Sequence, residues 1–132
     1  MTSLRWVDPF FLDMPRLDDA HRQLFELVQA AIVALQTAGR REAGQAIAAL
    51  CDDACRHFFD ENVLMREIDF PGYYNHYEQH RRLVLDLERL QAALALRPLD
   101  VAAAVQELRS WFTLHLVNYD QELSVYVTAS RN

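Results

Sequence analysis

The sequence predicts an all-α protein, an antiparallel up-down four-helix bundle with an extended N-terminal arm. The 132 residues include only three glycines and four prolines, and the residues that enter helices at least cost, such as Ala, Leu, Glu, Gln and Arg, dominate the rest. Apolar residues also recur at alternating steps of three and four, which places them on one face of a helix. Four such stretches joined by short connections typically pack as an antiparallel bundle.

Capping and helix-breaking residues set the predicted bounds. Asp18 and Asp19 are good caps for the first helix, Pro71 falls in the break after the second, and Asp100 caps the fourth. We expect a single domain over the whole chain. Its predicted segments are an arm over residues 1–17 and helices over about 18–38, 41–67, 73–96 and 100–128.

Composition excludes several classes of function. The net charge of -6 argues against a nucleic-acid binder, which needs a basic face. The sequence has no apolar run near the roughly 18 to 20 residues of a membrane span and no signal peptide at its start, so we expect a cytoplasmic protein. Cys51 and Cys55 match no metal-binding or redox cysteine motif and are expected to be small core or boundary residues.

All five histidines lie where a bundle helix normally buries an apolar residue, and four of them have another candidate ligand about one turn away along the chain. The seven candidate metal ligands are His21, His57, Glu61, His76, His80, His115 and Asp120. An unpartnered buried polar group costs on the order of 1–3 kcal/mol, so seven together would be prohibitive without metal. Taken singly, each histidine is better explained as a hydrogen-bonded core residue and each carboxylate as a solvated charge.

The positions of these ligands along the helices predict that they meet at one end of the bundle. Residues four apart lie about 40° apart around a helix, so His76 and His80 can chelate one ion. The step of five from His115 turns Asp120 by about 140°, which favours reaching a neighbouring ion over chelation with His115. Seven ligands are too many for one ion and too few to saturate two octahedral ones. We therefore predict two ions bridged by Glu61 and Asp120, with one coordination position open.

These residues resemble the hemerythrin family, specifically its single-domain bacterial members, over nearly the whole chain. The motifs that carry the resemblance are Trp6, Asp18-x-x-His21, His57-Phe58-x-x-Glu61, Met65, Pro71, His76-x-x-x-His80 and Trp111-x-x-x-His115-x-x-x-x-Asp120. The resemblance implies a non-haem site of two iron ions that binds O2 reversibly. It assigns three histidines to one iron, namely His76, His80 and His115. It assigns His21 and His57 to the other iron, which keeps the open position, and it implies an oxo or hydroxo bridge beside the two carboxylates.

Apolar residues within about one turn of the ligands predict the wall of an O2 pocket. They are Leu24, Phe58, Trp111, Phe112 and Leu116. By resemblance, the position three before His115 is usually leucine, so Phe112 is expected to narrow the open site. Asn62 stands where the family often has a second glutamate, and Asp13 where it has a glycine; neither change is expected to touch a ligand.

The function that the resemblance implies is oxygen storage, transport or delivery, without enzymatic activity. The expected partners are O2 and, for delivery, an enzyme that consumes O2, and a monomer is favoured. Two alternatives stay open. One is a di-iron enzyme acting on peroxide or nitric oxide, or a protein of iron storage or detoxification; the sequence shows no additional acid, base or substrate cleft for it. The other is a helical bundle that holds zinc or no metal.

Overall fold

A computed structural model of the protein describes residues 15–96 and 100–130, and this part of the chain is entirely helical. Its elements are α1 (Pro15–Thr37), α2 (Arg40–Glu67), α3 (Tyr73–Leu96), α4 (Val101–Leu114) and α5 (Gln121–Ser130), with a π-helical segment (His115–Asp120) between α4 and α5. Because that segment is continuous with both neighbours, α4, the segment and α5 form one rod, the fourth of the bundle. α1 packs against α2 and α4, and α2 packs against α3. The predicted all-α fold is confirmed.

The first helix begins earlier than the sequence predicts. It starts at Pro15 rather than near residue 18, because proline suits the first helical position, where its missing N–H costs nothing. Asp18 therefore lies inside the first turn, where a negative charge is favourable, and Asp19 follows it within the helix. The prediction that these two residues cap the helix is wrong. The predicted extended arm otherwise falls on residues 1–14, outside the described residues.

The other predicted bounds agree closely with the structure. α2 ends at Glu67 and α3 spans Tyr73–Leu96. The side chain of Asp100 caps α4 by accepting a hydrogen bond of 3.1 Å from the backbone N–H of Ala103. Between α2 and α3 the chain reverses through Asp69, whose φ of 52° lies in the left-handed region that Asp tolerates better than most residues.

Two apolar clusters lie along the bundle, and a layer of polar residues separates them. On α2, Phe58 belongs to the larger cluster and Met65 to the smaller one, with Glu61 between them. On the fourth rod, Phe112 belongs to the larger cluster and Leu123 to the smaller one. The polar layer is thereby shielded from water on both sides along the bundle axis.

No helix in the described part of the chain is both long and apolar enough to cross a membrane.

Candidate metal centre

The structure brings all seven predicted ligand residues together in the polar layer. Each rod of the bundle contributes to it, α1 and the π-helical segment included. Every one of these residues is between 0% and 5% exposed. The seven are His21 of α1, His57 and Glu61 of α2, His76 and His80 of α3, and His115 and Asp120 of the π-helical segment.

The π-helical segment sets the relation between His115 and Asp120, which stand at its two ends. Its turns are wider than those of an α-helix and are closed by bonds between residues five apart. The carboxylate therefore returns to the face of the histidine, with Oδ1 of Asp120 3.0 Å from Nε2 of His115. The predicted turn of about 140° between His115 and Asp120 is wrong, because it assumed α-helical winding through this stretch.

Glu61 faces two groups of histidines, one with each oxygen. Its Oε1 atom lies 2.5 Å from Nε2 of His76 and 3.2 Å from Nε2 of His80. Its Oε2 atom lies 3.1 Å from Nε2 of His57 and 3.7 Å from Nε2 of His21. The carboxylate thus stands between a group on α3 and a group on α1 and α2.

Asp120 divides its oxygens between the same two groups. Oδ1 lies 2.9 Å from Nε2 of His76 and 3.0 Å from Nε2 of His115. Oδ2 lies 2.6 Å from Nε2 of His21. Each carboxylate presents one oxygen to the first histidine group and its other oxygen to the second. Such a pair of carboxylates can bridge two cations.

The candidate ligand atoms form two overlapping sets, and within each set all of them lie within 4.8 Å of one another. The first set comprises Glu61, His76, His80, His115 and Asp120, and the second comprises His21, His57, Glu61 and Asp120. Three histidines belong to the first set alone and two to the second alone, while both carboxylates belong to both. Imidazole nitrogen and carboxylate oxygen together suit first-row transition metals such as iron and zinc.

Seven buried side-chain atoms in this layer have no hydrogen-bond partner among the described residues, although several approach a neighbour at contact distance. They are Nδ1 and Nε2 of His21, Nε2 of His57, Oε2 of Glu61, Nδ1 and Nε2 of His115, and Oδ2 of Asp120. Native interiors seldom leave buried polar atoms unsatisfied. Five of the seven are atoms through which the residue would bind an ion, so the residues present fit a metal centre.

Charge is balanced within the layer. Burial alone would raise the pKa of Glu61, but the surrounding histidines, whose ring nitrogens approach its two oxygens, outweigh burial and hold that pKa well below its usual range. For His21 and His76 the effect of burial has the opposite sign and lowers the pKa. The carboxylates of Glu61 and Asp120 outweigh burial and raise these two pKa values to about 10 and about 9. Burial and the neighbouring Glu61 would raise the pKa of Asp120, but His115 and His21 outweigh them and lower it. At neutral pH the metal-free layer therefore contains two ionised carboxylates and at least two imidazolium cations.

His80 differs from these two histidines. Burial, assisted by the neighbouring His115 and His76, lowers its pKa to about 4 despite the nearby Glu61. It is therefore a neutral imidazole at pH 7. Its Nδ1 atom lies 2.7 Å from Oδ1 of Asn62, so the expectation that the change at position 62 touches no ligand is wrong.

Of the predicted pocket residues, Phe58 contacts two histidines of the polar layer. The ring of Phe58 stacks on His80 with centroids 4.2 Å apart and meets His115 edge-on at 5.1 Å. Trp111 is buried, and its indole N–H donates to the backbone carbonyl of Leu83 at 2.9 Å. Leu24 and Phe112 are also buried, each 1% exposed. The side chain of Leu116 lies outside the described part of the structure.

Three neighbours of the site were not predicted from the sequence. Phe25 packs against Phe112 with ring centroids 5.7 Å apart. Tyr119 packs near His76, with centroids 5.9 Å apart. Asn62 is the third. Each stands next to, or one turn from, a candidate ligand, and this proximity is the signal that could have identified them.

Comparison with known proteins agrees with the geometry. The family model described as "Hemerythrin HHE cation binding domain" matches residues 14–125. The bacteriohemerythrin of Campylobacter jejuni subsp. jejuni serotype O:6 is 34% identical over 75 residues, which span 56% of this chain and 56% of that protein. The myohemerythrin of Riftia pachyptila is 29% identical over 115 residues, or 87% of this chain and 86% of that protein.

Solved structures show the same fold. Wild-type hemerythrin superposes with a TM-score of 0.80 at 23% sequence identity, over 89% of this chain and 92% of the other. A point mutant of hemerythrin gives a TM-score of 0.81 at 23% identity, over 92% and 94% of the two chains. The family match over most of the sequence, together with the shared bundle, shows that the chain belongs to the hemerythrin family.

Proposed function

We propose that the polar layer binds two iron ions and that the loaded protein binds O2 reversibly, for oxygen storage, transport or delivery. The observation that carries this proposal is the division of the carboxylate oxygens. Glu61 and Asp120 each direct one oxygen to the first histidine group and the other oxygen to the second. This arrangement suits two ions held side by side, and a single ion would leave one histidine group unused.

The two histidine groups are unequal, and this inequality supports a site with one open position. The first group offers three imidazoles and the second only two, His21 and His57. Both groups share the same two carboxylates. The ion bound by the second group would therefore have fewer protein ligands, and a small molecule could reach it without displacing a side chain.

When bound, a pair of iron ions supplies the one-electron exchange at each metal that reversible O2 binding requires. The chain's own contribution is to position the ligands and to exclude water. Leu24 and Phe112 belong to the larger apolar cluster, and Met65 and Leu123 to the smaller one on the other side of the layer. A dry and closely packed site limits access by water and anions that would compete for an open position.

The histidine-rich ligand set supports a carrier in preference to an enzyme. Oxygen-activating di-iron bundles are usually built from several glutamates and Glu-x-x-His motifs, whereas this layer has five histidines and two carboxylates. We therefore assign no enzymatic activity to the site. Turnover of peroxide or nitric oxide by the iron-loaded protein in a steady-state assay would contradict this assignment.

Absorption spectroscopy tests the proposal. The iron-loaded protein, reduced under anaerobic conditions, should gain a visible band on admission of O2 and lose it under vacuum, over repeated cycles. Glu61→Ala should abolish the band, while Cys51→Ser, on the same helix but outside the layer, should retain it. Irreversible oxidation in the first cycle, or an iron content below two per chain after iron-replete expression, would contradict the proposal.

A further inference from the structure

One helix holds the ring of His80 from two directions. Phe58 of α2 stacks on the ring with centroids 4.2 Å apart and planes inclined by 9°. One turn further along α2, Oδ1 of Asn62 lies 2.7 Å from Nδ1 of His80. The stacking fixes the plane of the imidazole, and the hydrogen bond fixes its rotation within that plane. Together they direct Nε2 toward Glu61, whose Oε1 atom is 3.2 Å away.

Two acceptors compete for the proton of His80, namely Oδ1 of Asn62 at 2.7 Å from Nδ1 and Oε1 of Glu61 at 3.2 Å from Nε2. The shorter contact favours the proton at Nδ1. A neutral imidazole has one N–H, and binding a metal through Nε2 requires that N–H to be at Nδ1. The amide oxygen of Asn62 accepts from that position. An amide turned the other way would donate to Nδ1 and leave the proton on Nε2, where it would block the metal.

This support distinguishes His80 from two other candidate ligands. The Nδ1 atoms of His21 and His115 have no hydrogen-bond partner among the described residues. Outer-shell partners of metal-binding histidines fix the ring and adjust how strongly it donates electrons to the ion. An amide does so without adding charge, whereas a carboxylate at the same place would increase that donation.

We propose that Asn62 is a positioning residue for His80, which acts with Phe58 to fix the ring and, being uncharged, limits electron donation through His80 to the metal. The inference rests on the proposed function, since it takes His80 to be a metal ligand. Asn62 also lines a surface groove of about 430 Å³ between α2 and α3. A substitution there stays in reach of water, so the variants below are expected to fold.

Three variants test the proposal. Asn62→Ala removes the acceptor, and Asn62→Asp keeps its shape but adds a charge. Cys55→Ser is the matched control, because Cys55 lines the same groove and is not among the candidate ligands. Zinc affinity is measured by competition against a chelator. Nitrogen-15 NMR of the metal-free protein shows which nitrogen of His80 carries the proton. The reduction potential is measured on the iron-loaded protein.

Asn62→Ala should bind zinc about 10- to 100-fold more weakly than wild type, the usual effect of losing an outer-shell partner, and should lose the preference for the proton at Nδ1. Asn62→Asp should retain zinc and lower the reduction potential of the iron pair. Cys55→Ser should match wild type in every measurement. If Asn62→Ala binds zinc as tightly as Cys55→Ser, the proposal is overturned.

An unchanged potential in Asn62→Asp would equally contradict the proposal, and this variant serves even if Asn62→Ala fails to fold. Failure of the proposed function has a different signature. Wild type would then bind fewer than two irons or no O2, while the zinc and NMR measurements would still report on Asn62.

Discussion

Loading the metal-free protein with metal should release protons from the polar layer. His21 and His76 have pKa values raised to about 10 and about 9, so both carry a proton at pH 7 in the metal-free state. Binding a cation through Nε2 requires the neutral imidazole. His80, whose pKa is lowered to about 4, has no proton to release. We therefore expect at least two protons per chain when both ion positions are filled.

The size of the pH effect follows from these two histidines. Each competing proton changes the apparent binding free energy by about 1.36 kcal/mol per pH unit below the pKa of its group. His21 and His76 together give about 2.7 kcal/mol, so the overall affinity for the ion pair should rise about 100-fold per unit between pH 7 and pH 8.

Zinc titration in a weakly buffered solution with a pH indicator measures the released protons directly. Asp120→Asn should reduce the number of protons released per zinc ion bound, because Asp120 is the main source of the raised pKa of His21. Asp86→Asn is the control, since that carboxylate is on the surface with a side chain 43% exposed. Zinc uptake by wild type without proton release, or with an affinity independent of pH, would show that His21 and His76 are not protonated in the metal-free layer.

Two further predictions concern stability. A histidine whose pKa is raised by folding stabilises the fold fully below its unfolded pKa of about 6.5. The metal-free protein should therefore lose denaturant resistance as the pH rises from about 6.5 through the folded pKa values of about 9 for His76 and about 10 for His21. An equal loss in the zinc-loaded protein would contradict this prediction. Leu87→Ala, at a side chain 1% exposed, should lower the free energy of unfolding by about 2–5 kcal/mol. Leu96→Ala, at a side chain 82% exposed, should change it by less than about 0.5 kcal/mol, and similar losses in both variants would contradict the assignment of the core.

The helices could be predicted from the sequence because their signals are local. The repeat of apolar residues at steps of three and four identifies the buried face whatever the helix packs against. Asp100 acts on the first turn that follows it, so its role could also be predicted. Pro15 could not be interpreted in the same way, because proline is compatible both with an extended arm and with the first position of a helix.

The candidate ligands could be named from the sequence, but their arrangement could be predicted only in part. That the seven ligands meet in one layer could be predicted from the bundle topology alone, because they lie at matching heights on the antiparallel helices. The winding between His115 and Asp120 depends on tertiary packing, and the step of five was its only sign in the sequence. The contact between Asn62 and His80 depends on how α2 and α3 face each other, which no spacing within a single helix specifies.

Anomalous X-ray diffraction from crystals of the iron-loaded protein would locate the metal ions themselves. We predict two iron peaks in the polar layer, one beside Nε2 of His76, His80 and His115 and the other beside Nε2 of His21 and His57, with Glu61 and Asp120 between them. A single peak, or peaks outside this layer, would contradict the claim that the two carboxylates bridge a pair of metal ions.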